Sequence, residues 1–333
     1  MHRSASAYTR RAVPPLRVGA LFFLLWYLAC LFYPPGNGSQ VLDVSFPQGS
    51  GIRRLAEELK AGGIIRSSWH FRLVARLRGQ VRQLKAGDYR FNDAMTPGVI
   101  LRKVVDGDVD YRRFSLPEGY SIYQAAELLE QKGYFKREAF LGACRSPGYT
   151  ARLGGVDSVE GYLFPATYDL PLTGTPEQLI GRMLEHFDKK FAGLPQEAVT
   201  GSGLTRHQLV TLASLIEKEA VVSGEKPLIS SVFHNRLRIG MPLQSDPTAV
   251  YGVRAFSGKV TREDIERKSP YNTYLIKGLP PGPIGNPGLD ALQAALNPGE
   301  TPYLYFVARQ DGTHQFSRTL EEHNRAVVRY LRQ

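Results

Sequence analysis

An uncharged apolar run near the N-terminus constrains this chain more than any other feature. Residues 18–33 read VGALFFLLWYLACLFY, and Leu16 extends the run. As a helix these residues would span about 24 Å, somewhat less than the roughly 30 Å hydrocarbon core of a bilayer. Positive residues stay on the cytoplasmic side of a membrane, so the charges ahead of the run predict a cytoplasmic tail at 1–17, a single-pass anchor at 18–33 and the bulk of the chain outside. Those charges are Arg3, Arg10, Arg11 and Arg17.

Three alternatives to an uncleaved anchor remain open. A cleaved signal peptide would need small residues at a cleavage site, and residues 32–35 (FYPP) offer none. A lipoprotein signal would use Cys30, but Tyr27 is large for that motif and the apolar run continues past it. The third alternative is a buried helix of a soluble protein. Since Cys30 lies inside the run, we do not expect it to pair with Cys144, the other cysteine.

The net charge of +11 raises the question of nucleic-acid binding, which the distribution of the charges does not favour. The basic residues are spread along the chain and form one denser patch. A solvated helix face explains that patch, and contact with anionic lipid or an anionic polymer is the alternative. The patch consists of Arg72, Arg76, Arg78, Arg82 and Lys85.

Residues 46–65 and 116–135 form an internal repeat. Each copy has Pro, a polar residue and Gly, then apolar residues at helical spacing, and then a terminating Gly. A second helix at 67–79 and a strand within LKAGDYRFN follow the first copy. Strand–helix–helix–strand over about 50 residues predicts a LysM-like domain at 41–110, a type that binds N-acetylglucosamine polymers. The alternative is an α+β piece that binds no ligand.

Several kinds of site are excluded in the remaining chain. It has no HExxH or cysteine pair for zinc, no P-loop and no GxSxG elbow. His314 and His323 are too isolated in the sequence to argue for a metal, so we predict structural roles for them. We expect no metal, no nucleotide cofactor and no nucleic-acid partner. The chemistry that remains is that of carboxylates.

The best carboxylate candidates lie on a helix predicted at 206–220, which has an apolar face. Glu217 and Glu219 fall on opposite flanks of that face, so helical periodicity does not choose between them. Partial burial would raise the pKa of either toward neutrality, as a general acid needs. A solvated charge cluster is the alternative. Nearby Pro- and Gly-rich loops carry amide, hydroxyl and tyrosine groups suited to sugars, among them Tyr251, Tyr271 and Tyr274.

With these motifs in view, the chain resembles the YceG-like (MltG) family of endolytic murein transglycosylases. Seven ordered motifs carry the resemblance: EGYLFPATY, IEKEA, VFHNRL, LQSDPT, SPYNTY, GLPPGPIGNPG and DGTHQFS. Three positions depart from the family pattern: Lys268 directly precedes SPYNTY, His234 lies in VFHNRL and Gly285 lies in GLPPGPIGNPG. The resemblance implies an α+β fold with the anchor, the LysM-like domain and a catalytic domain at 111–333. It also implies the inner (cytoplasmic) membrane as the location.

The resemblance further implies that Glu217 is the catalytic acid. Such enzymes cut the β-1,4 bond between N-acetylmuramic acid and N-acetylglucosamine without water, which leaves 1,6-anhydro ends and needs one carboxyl group. Glu160 would position substrate, have a structural role or act as a second acid, and these options stay open. The other residues expected to position substrate, or to serve only in structural turns, are Asn235, Gln244, Ser245, Asp246, Tyr271, Asn272, Thr273 and Tyr274.

Three functions therefore compete. The first is a lytic transglycosylase that cuts nascent glycan strands and ends their elongation, with peptidoglycan synthases as expected partners. The second is a non-enzymatic glycan-binding scaffold that recruits those synthases, for which no acid at position 217 is required. The third is a hydrolase that uses Glu160 together with Glu217, since hydrolysis needs two carboxyl groups about 5–10 Å apart.

Overall fold

The computed structural model describes residue 19, residues 22–28 and residues 33–331. The chain divides into two compact units. Unit 1 comprises the residues up to Arg112 together with Leu170–Thr173, and unit 2 comprises Arg113–Asp169 with the chain from Gly174 onward. The chain therefore passes from unit 1 to unit 2, returns briefly, and then stays in unit 2.

The predicted anchor at 18–33 lies partly outside the described residues, and the predicted tail at 1–17 lies wholly outside them. Residues 22–28 are helical. Within the part of the chain that the structure describes, no helix has both the length and the apolar character needed to cross a bilayer.

Unit 1 contains the predicted strand–helix–helix–strand order. Strand β1 (Val41–Phe46), helices α1 (Ile52–Ala61) and α2 (Ser68–Leu77) and strand β2 (Gly87–Asn92) follow one another, and α3 (Pro97–Asp106) comes next. The two strands pair antiparallel along their whole length. Both helices pack in one buried core with the strands.

Local signals account for the helices of unit 1. Apolar residues at helical spacing bury one face of α1, at Leu55, Ala56 and Leu59. The Ser67 hydroxyl caps α2 by accepting the His70 N–H, and α3 ends at Gly107, whose φ of 73° is the left-handed conformation that glycine adopts without strain. The basic residues Arg76, Arg78, Arg82 and Lys85 are exposed.

Unit 2 is mainly helical. Strand β3 (Tyr111–Ser115) pairs with β4 (Thr167–Pro171), and β5 (Tyr305–Ala308) forms an antiparallel hairpin with β6 (His314–Ser317). The helices are α4 (Ile122–Gln131), α5 (Arg137–Cys144), α6 (Pro147–Arg152), α7 (Pro176–Ala192), α8 (Gln196–Gly201), α9 (Arg206–Glu219), α10 (Lys226–Arg238), α11 (Asp246–Val250), α12 (Arg262–Glu266), α13 (Leu289–Leu296) and α14 (Leu320–Leu331).

The second copy of the sequence repeat is again a strand, a turn and a helix. Strand β3 leads into a turn at 116–121, and α4 follows, capped by a reciprocal pair of bonds between Ser121 and Gln124. In unit 1 the first copy is β1, a turn and α1. Cys144 is a buried free thiol at the end of α5, and Cys30 lies outside the described residues.

Helix α9 forms the centre of unit 2 and carries the predicted acids. Thr205 and Gln208 close a capping box at its start, and its run from Leu209 to Ile216 is buried. It packs against α10 and α13. The helix stops after Glu219 because Ala220 turns to an extended conformation, with ψ of 117°. Glu217 and Glu219 thus lie in the last turn of a firmly packed helix.

Candidate active site

The two carboxylates at the end of α9 face different surroundings, as the helical spacing predicted. Glu217 Oε1 lies 3.0 Å from Nζ of Lys226, the first residue of α10. Its Oε2 accepts a 2.9 Å hydrogen bond from the backbone N–H of Gly288, just ahead of α13. Only 7% of the Glu217 side chain and 3% of the Lys226 side chain are exposed. Glu217 is therefore held at fixed geometry by charge and by backbone.

A third carboxyl group lies beside this ion pair. Glu118 Oε2 is 3.8 Å from Lys226 Nζ, and 53% of the Glu118 side chain is exposed. Burial raises the pKa of Glu118, and the negative charge of Glu217 raises it further. The sequence pointed to Glu118 only as part of the repeated turn, because its proximity to Glu217 depends on tertiary structure.

The segment at 286–288 fixes the turn that carries Glu118. The Gly119 N–H donates to the Asn286 carbonyl at 2.8 Å. The Asn286 N–H and its side-chain amide both donate to the Tyr120 carbonyl, at 2.9 and 2.8 Å. Gly288 in turn approaches Glu118 so closely that a Cβ there would lie 2.1 Å from Glu118 Oε1. One short segment thus positions both Glu118 and Glu217.

Gly285, one of the departures from the family pattern, belongs to the same contact. A Cβ at this position would lie 2.5 Å from the Gly119 carbonyl oxygen. A backbone atom cannot yield as a flexible side chain can, so glycine allows this approach here. This departure from the family pattern therefore affects the packing of the turn that carries Glu118.

Glu160 lies in the interior of unit 2, and 3% of the residue is exposed. Its carboxyl oxygens accept hydrogen bonds from the Ile122 N–H, the Tyr251 hydroxyl at 2.9 Å and the Asn286 amide at 3.2 Å. Burial raises the pKa of Glu160 to about 7, although the hydrogen bonds from the Ile122 N–H and the Tyr251 hydroxyl oppose the change. With its oxygens already engaged, Glu160 anchors the start of α4 and the 286 segment. These contacts favour a substrate-positioning or structural role for Glu160 over the role of a second catalytic acid.

Glu219 occupies a separate polar cluster. The Ser245 hydroxyl donates to its Oε1 at 2.5 Å. Burial raises the pKa of Glu219 to about 7, the Ser245 hydrogen bond opposes that change, and the charge of Asp246 adds to it. Glu219 therefore has the raised pKa expected of a general acid. Glu217 instead has the Lys226 ammonium and the Gly288 N–H as partners.

Several predicted positioning residues surround Glu219 rather than Glu217. The Ser245 N–H donates to the Thr273 hydroxyl at 2.9 Å, and the Tyr274 hydroxyl donates to Asp246. Gln244 has φ of 50°, an uncommon conformation for a residue with a side chain, and its N–H donates to the Thr273 carbonyl. The structure thus brings 244–246 together with 273–274, as expected of one site, on the far flank of α9 from Glu217.

Asn235, Asn272 and Thr273, predicted either to position substrate or to serve in structural turns, have partners within the chain. The Asn272 amide is fully buried and donates to three backbone carbonyls at the end of α12. Thr273 is also fully buried. The Asn235 amide donates to the Thr301 and Tyr303 carbonyls. Because these groups hydrogen-bond to the chain itself, their surroundings favour the structural alternative, and contact with substrate stays a prediction.

Two of the predicted tyrosines, Tyr251 and Tyr271, line cavities in unit 2. Tyr123, Tyr251 and Lys218 line a cavity of about 160 Å³. Tyr271 lines another, of about 340 Å³, together with Glu160. The rings of Tyr251 and Tyr271 are 4.7 Å apart and tilted. Aromatic surface is thus present near the Glu160 network, as sugar binding would use.

The histidines singled out in the sequence have protein partners. His314 Nδ1 lies 2.8 Å from Glu225 Oε2, and the backbone N–H of His314 donates to Glu225 Oε1. His323 stacks on Tyr305 at 5.3 Å. Among the described residues, no group of three or more His, Cys, Asp or Glu side chains is arranged to hold a metal ion.

Comparison with known proteins identifies the family. The model of the YceG-like family matches residues 44–329. The chain belongs to the YceG-like family. The family resemblance seen in the sequence is therefore confirmed.

Relatives and a solved structure cover most of the chain. An endolytic murein transglycosylase of Bacillus subtilis (strain 168) is 34% identical over 312 residues, which are 89% of this chain and 86% of that protein. One of Streptococcus pneumoniae (strain R6) is 30% identical over 349 residues, and the match spans 95% of this chain but only 63% of the pneumococcal protein. The crystal structure of a yceG-like protein from Listeria monocytogenes is similar, with a TM-score of 0.60, 33% identity and coverage of 87% of this chain and 100% of the other.

Proposed function

We propose that this protein is an endolytic peptidoglycan lytic transglycosylase that cuts the β-1,4 bond between N-acetylmuramic acid and N-acetylglucosamine inside a glycan strand. Relatives at 30–34% identity are named endolytic murein transglycosylases. The observation that carries the proposal is the Glu217 carboxyl, nearly excluded from solvent at the end of α9 and fixed by Lys226 and the Gly288 N–H. A fixed carboxyl group in a shielded site is suited to general acid and base catalysis.

Glu217 would act twice. As an acid it transfers its proton to the glycosidic oxygen as the bond from that oxygen to C1 of the muramyl residue breaks. As a carboxylate it then removes the proton of the C6 hydroxyl, whose oxygen bonds to C1 and closes the 1,6-anhydro ring. The proton lost in the first step returns in the second, so neither water nor a second carboxyl group is consumed. The lyase activity therefore needs no cofactor.

Digestion of purified glycan strands, followed by mass analysis of the strand ends, tests the proposal. The wild type should produce 1,6-anhydro ends and internal fragments. We expect Glu217→Gln to lower the rate by about 10²–10⁴-fold, because the amide keeps the shape of the carboxyl but cannot exchange the proton. Glu219→Gln is the matched control from the other flank of the helix.

Each alternative to the proposal predicts a different outcome. Reducing ends would mean hydrolysis and would overturn the lyase chemistry. An inactive Glu219→Gln beside an active Glu217→Gln would move the acid to the Ser245 cluster. A wild type that binds glycan but never cuts it would favour the scaffold function.

The proposal extends to location and partners. An anchor at 18–33 would place the enzyme on the outer face of the inner (cytoplasmic) membrane, where nascent strands emerge. Cutting there would end strand elongation, and peptidoglycan synthases are the proposed partners at this place. The strand–helix–helix–strand order of unit 1 and the exposed basic residues at and after the end of α2 (Arg76, Arg78, Arg82 and Lys85) are compatible with a LysM-like glycan-binding domain near an anionic surface. Alkaline extraction of membranes tests the anchor: the full chain should stay in the pellet, and release of the full chain would contradict it.

A further inference from the structure

We propose that Lys226 and Glu118 are positioning residues that together set the pH range in which Glu217 acts as an acid. The inference rests on the proposed function and concerns the same site. Neither residue stood out in the sequence as part of the chemistry. The structure joins them to Glu217 as a row of alternating charge, which we call the Glu217–Lys226–Glu118 triad.

The geometry of the triad places one ammonium group between two carboxyl groups. Lys226 Nζ is 3.0 and 3.2 Å from the two Glu217 oxygens and 3.8 Å from Glu118 Oε2. The Lys226 side chain is almost completely buried, whereas half of the Glu118 side chain reaches solvent. The cation cannot turn toward water, so its charge is divided between the two carboxyl groups.

The triad is held in place from both sides. Gly288 donates its N–H to Glu217, and the neighbouring Asn286 binds the backbone of the Glu118 turn through Gly119 and Tyr120. These bonds fix the backbone carrying each carboxyl group relative to the other. The backbone positions from which the two acidic side chains extend are therefore a property of the fold.

The charged groups around Glu217 come from four elements. Helix α10 supplies Lys226, and the turn before α4 supplies Glu118. Helix α9 supplies Lys218, which interacts with Glu217 and Glu160 while its Nζ donates to Gln124 at 3.2 Å. Helix α13 supplies Asp290, whose charge acts on Glu118. Lys226 is the cation in direct contact with Glu217, and Glu118 is the carboxyl group that shares this cation.

The two positioning residues act in opposite directions. A nearby ammonium stabilises a carboxylate, so Lys226 favours the form of Glu217 that cannot donate a proton. A nearby negative charge disfavours that form, and Glu118 also draws on the same ammonium. Lys226 and Glu118 therefore act on the Glu217 carboxyl with opposite sign.

The pH dependence of glycan cutting by full-length protein tests the inference. Cutting should fall at high pH, as expected of a reaction that needs a protonated general acid. We expect Lys226→Met to move this fall upward by about one pH unit and Glu118→Gln to move it downward by a similar amount, since a charge within about 4–6 Å changes a pKa by about 1–3 units. Glu300→Gln, an exposed residue of unit 2, removes the same charge elsewhere and should leave the profile unchanged.

Shifts of opposite sign support the inference, because a merely structural role would lower the rate without moving the profile. Lower rates with unmoved profiles, or shifts of the same sign, overturn it. If Lys226→Met does not fold, as judged by circular dichroism, the direction of the Glu118→Gln shift decides alone. Absence of cutting by the wild type would instead overturn the proposed function, so the two failures are distinguishable.

Discussion

Lys226 Nζ lies 3.0 Å from Glu217 Oε1, and both side chains are almost excluded from solvent. A buried ion pair is costly to form and costlier to break, because removal of one partner leaves an uncompensated charge in the interior. Its presence at the end of α9 therefore points to a role beyond stability. The contact also distinguishes Glu217 from Glu219, which has a hydroxyl partner instead.

Gly288→Ala should disturb Glu118 more than the fold. The new Cβ would lie 2.1 Å from Glu118 Oε1, which belongs to the end of a flexible side chain and can move away. We expect thermal stability to change by less than about 1 kcal/mol. The pH profile of cutting should shift in the same direction as that of Glu118→Gln. A large loss of stability would show that Glu118 cannot leave its position.

Gly285→Ala should destabilise the fold itself. Its Cβ would lie 2.5 Å from the Gly119 carbonyl oxygen, and overpacking against backbone costs about 1–3 kcal/mol. Gly142→Ala is the matched control, because the space around Gly142 in α5 is open and alanine favours a helix by about 0.5–1 kcal/mol. Thermal unfolding should therefore give changes of opposite sign. Equal effects would contradict the close approach at Gly285.

Glu160→Gln should change how stability depends on pH. The carboxyl has an ordinary pKa of 4.5 in the unfolded chain and about 7 in the fold. Between these values the folded protein binds more protons, so the wild-type free energy of unfolding falls as pH rises, by about 1.4 kcal/mol per pH unit. Glu160→Gln should lack the decrease in the free energy of unfolding that Glu160 contributes. Denaturant titrations from pH 4 to 8 measure it, with Glu300→Gln expected to behave as the wild type.

Asn272→Ala should reveal whether this amide binds substrate or holds its loop. It donates to the carbonyls of Asp264, Ile265 and Arg267 in a fully buried position. Loss of these bonds leaves buried acceptors unsatisfied and should cost about 1–3 kcal/mol. The protein that remains folded should keep its KM for glycan. A raised KM with unchanged stability would restore the substrate contact predicted from the sequence.

The local structure of the site could be predicted from the sequence because its signals are local. The helix predicted at 206–220 is α9, Arg206–Glu219, and its apolar spacing placed Glu217 and Glu219 on separate flanks. The repeated turn and helix also follow from Pro, Gly and apolar periodicity over short distances.

The partners of the acids could not be predicted, because they meet only in the tertiary structure. Lys226 begins a helix with nothing in its sequence to suggest a buried ion pair, and Glu118 looked like part of an architectural repeat. Asn272 and Thr273 carry the polar groups of a sugar site, but burial directs those groups to the chain itself. Composition indicates which chemistry is available, and packing decides which groups remain free for a ligand.

The bond from Asn286 to Tyr120 joins residues 166 positions apart, and that from Gly288 to Glu217 joins residues 71 apart. Synthesis runs from the N-terminus, so Glu118, Glu217 and Lys226 all exist before the segment that orders them. An emerging chain therefore has its acidic groups but no assembled site until residues 286–288 have been made. Such an order would delay the onset of cutting until folding is nearly complete, a safeguard for a cell whose wall is the substrate. Chains ending before residue 286 should accordingly be inactive.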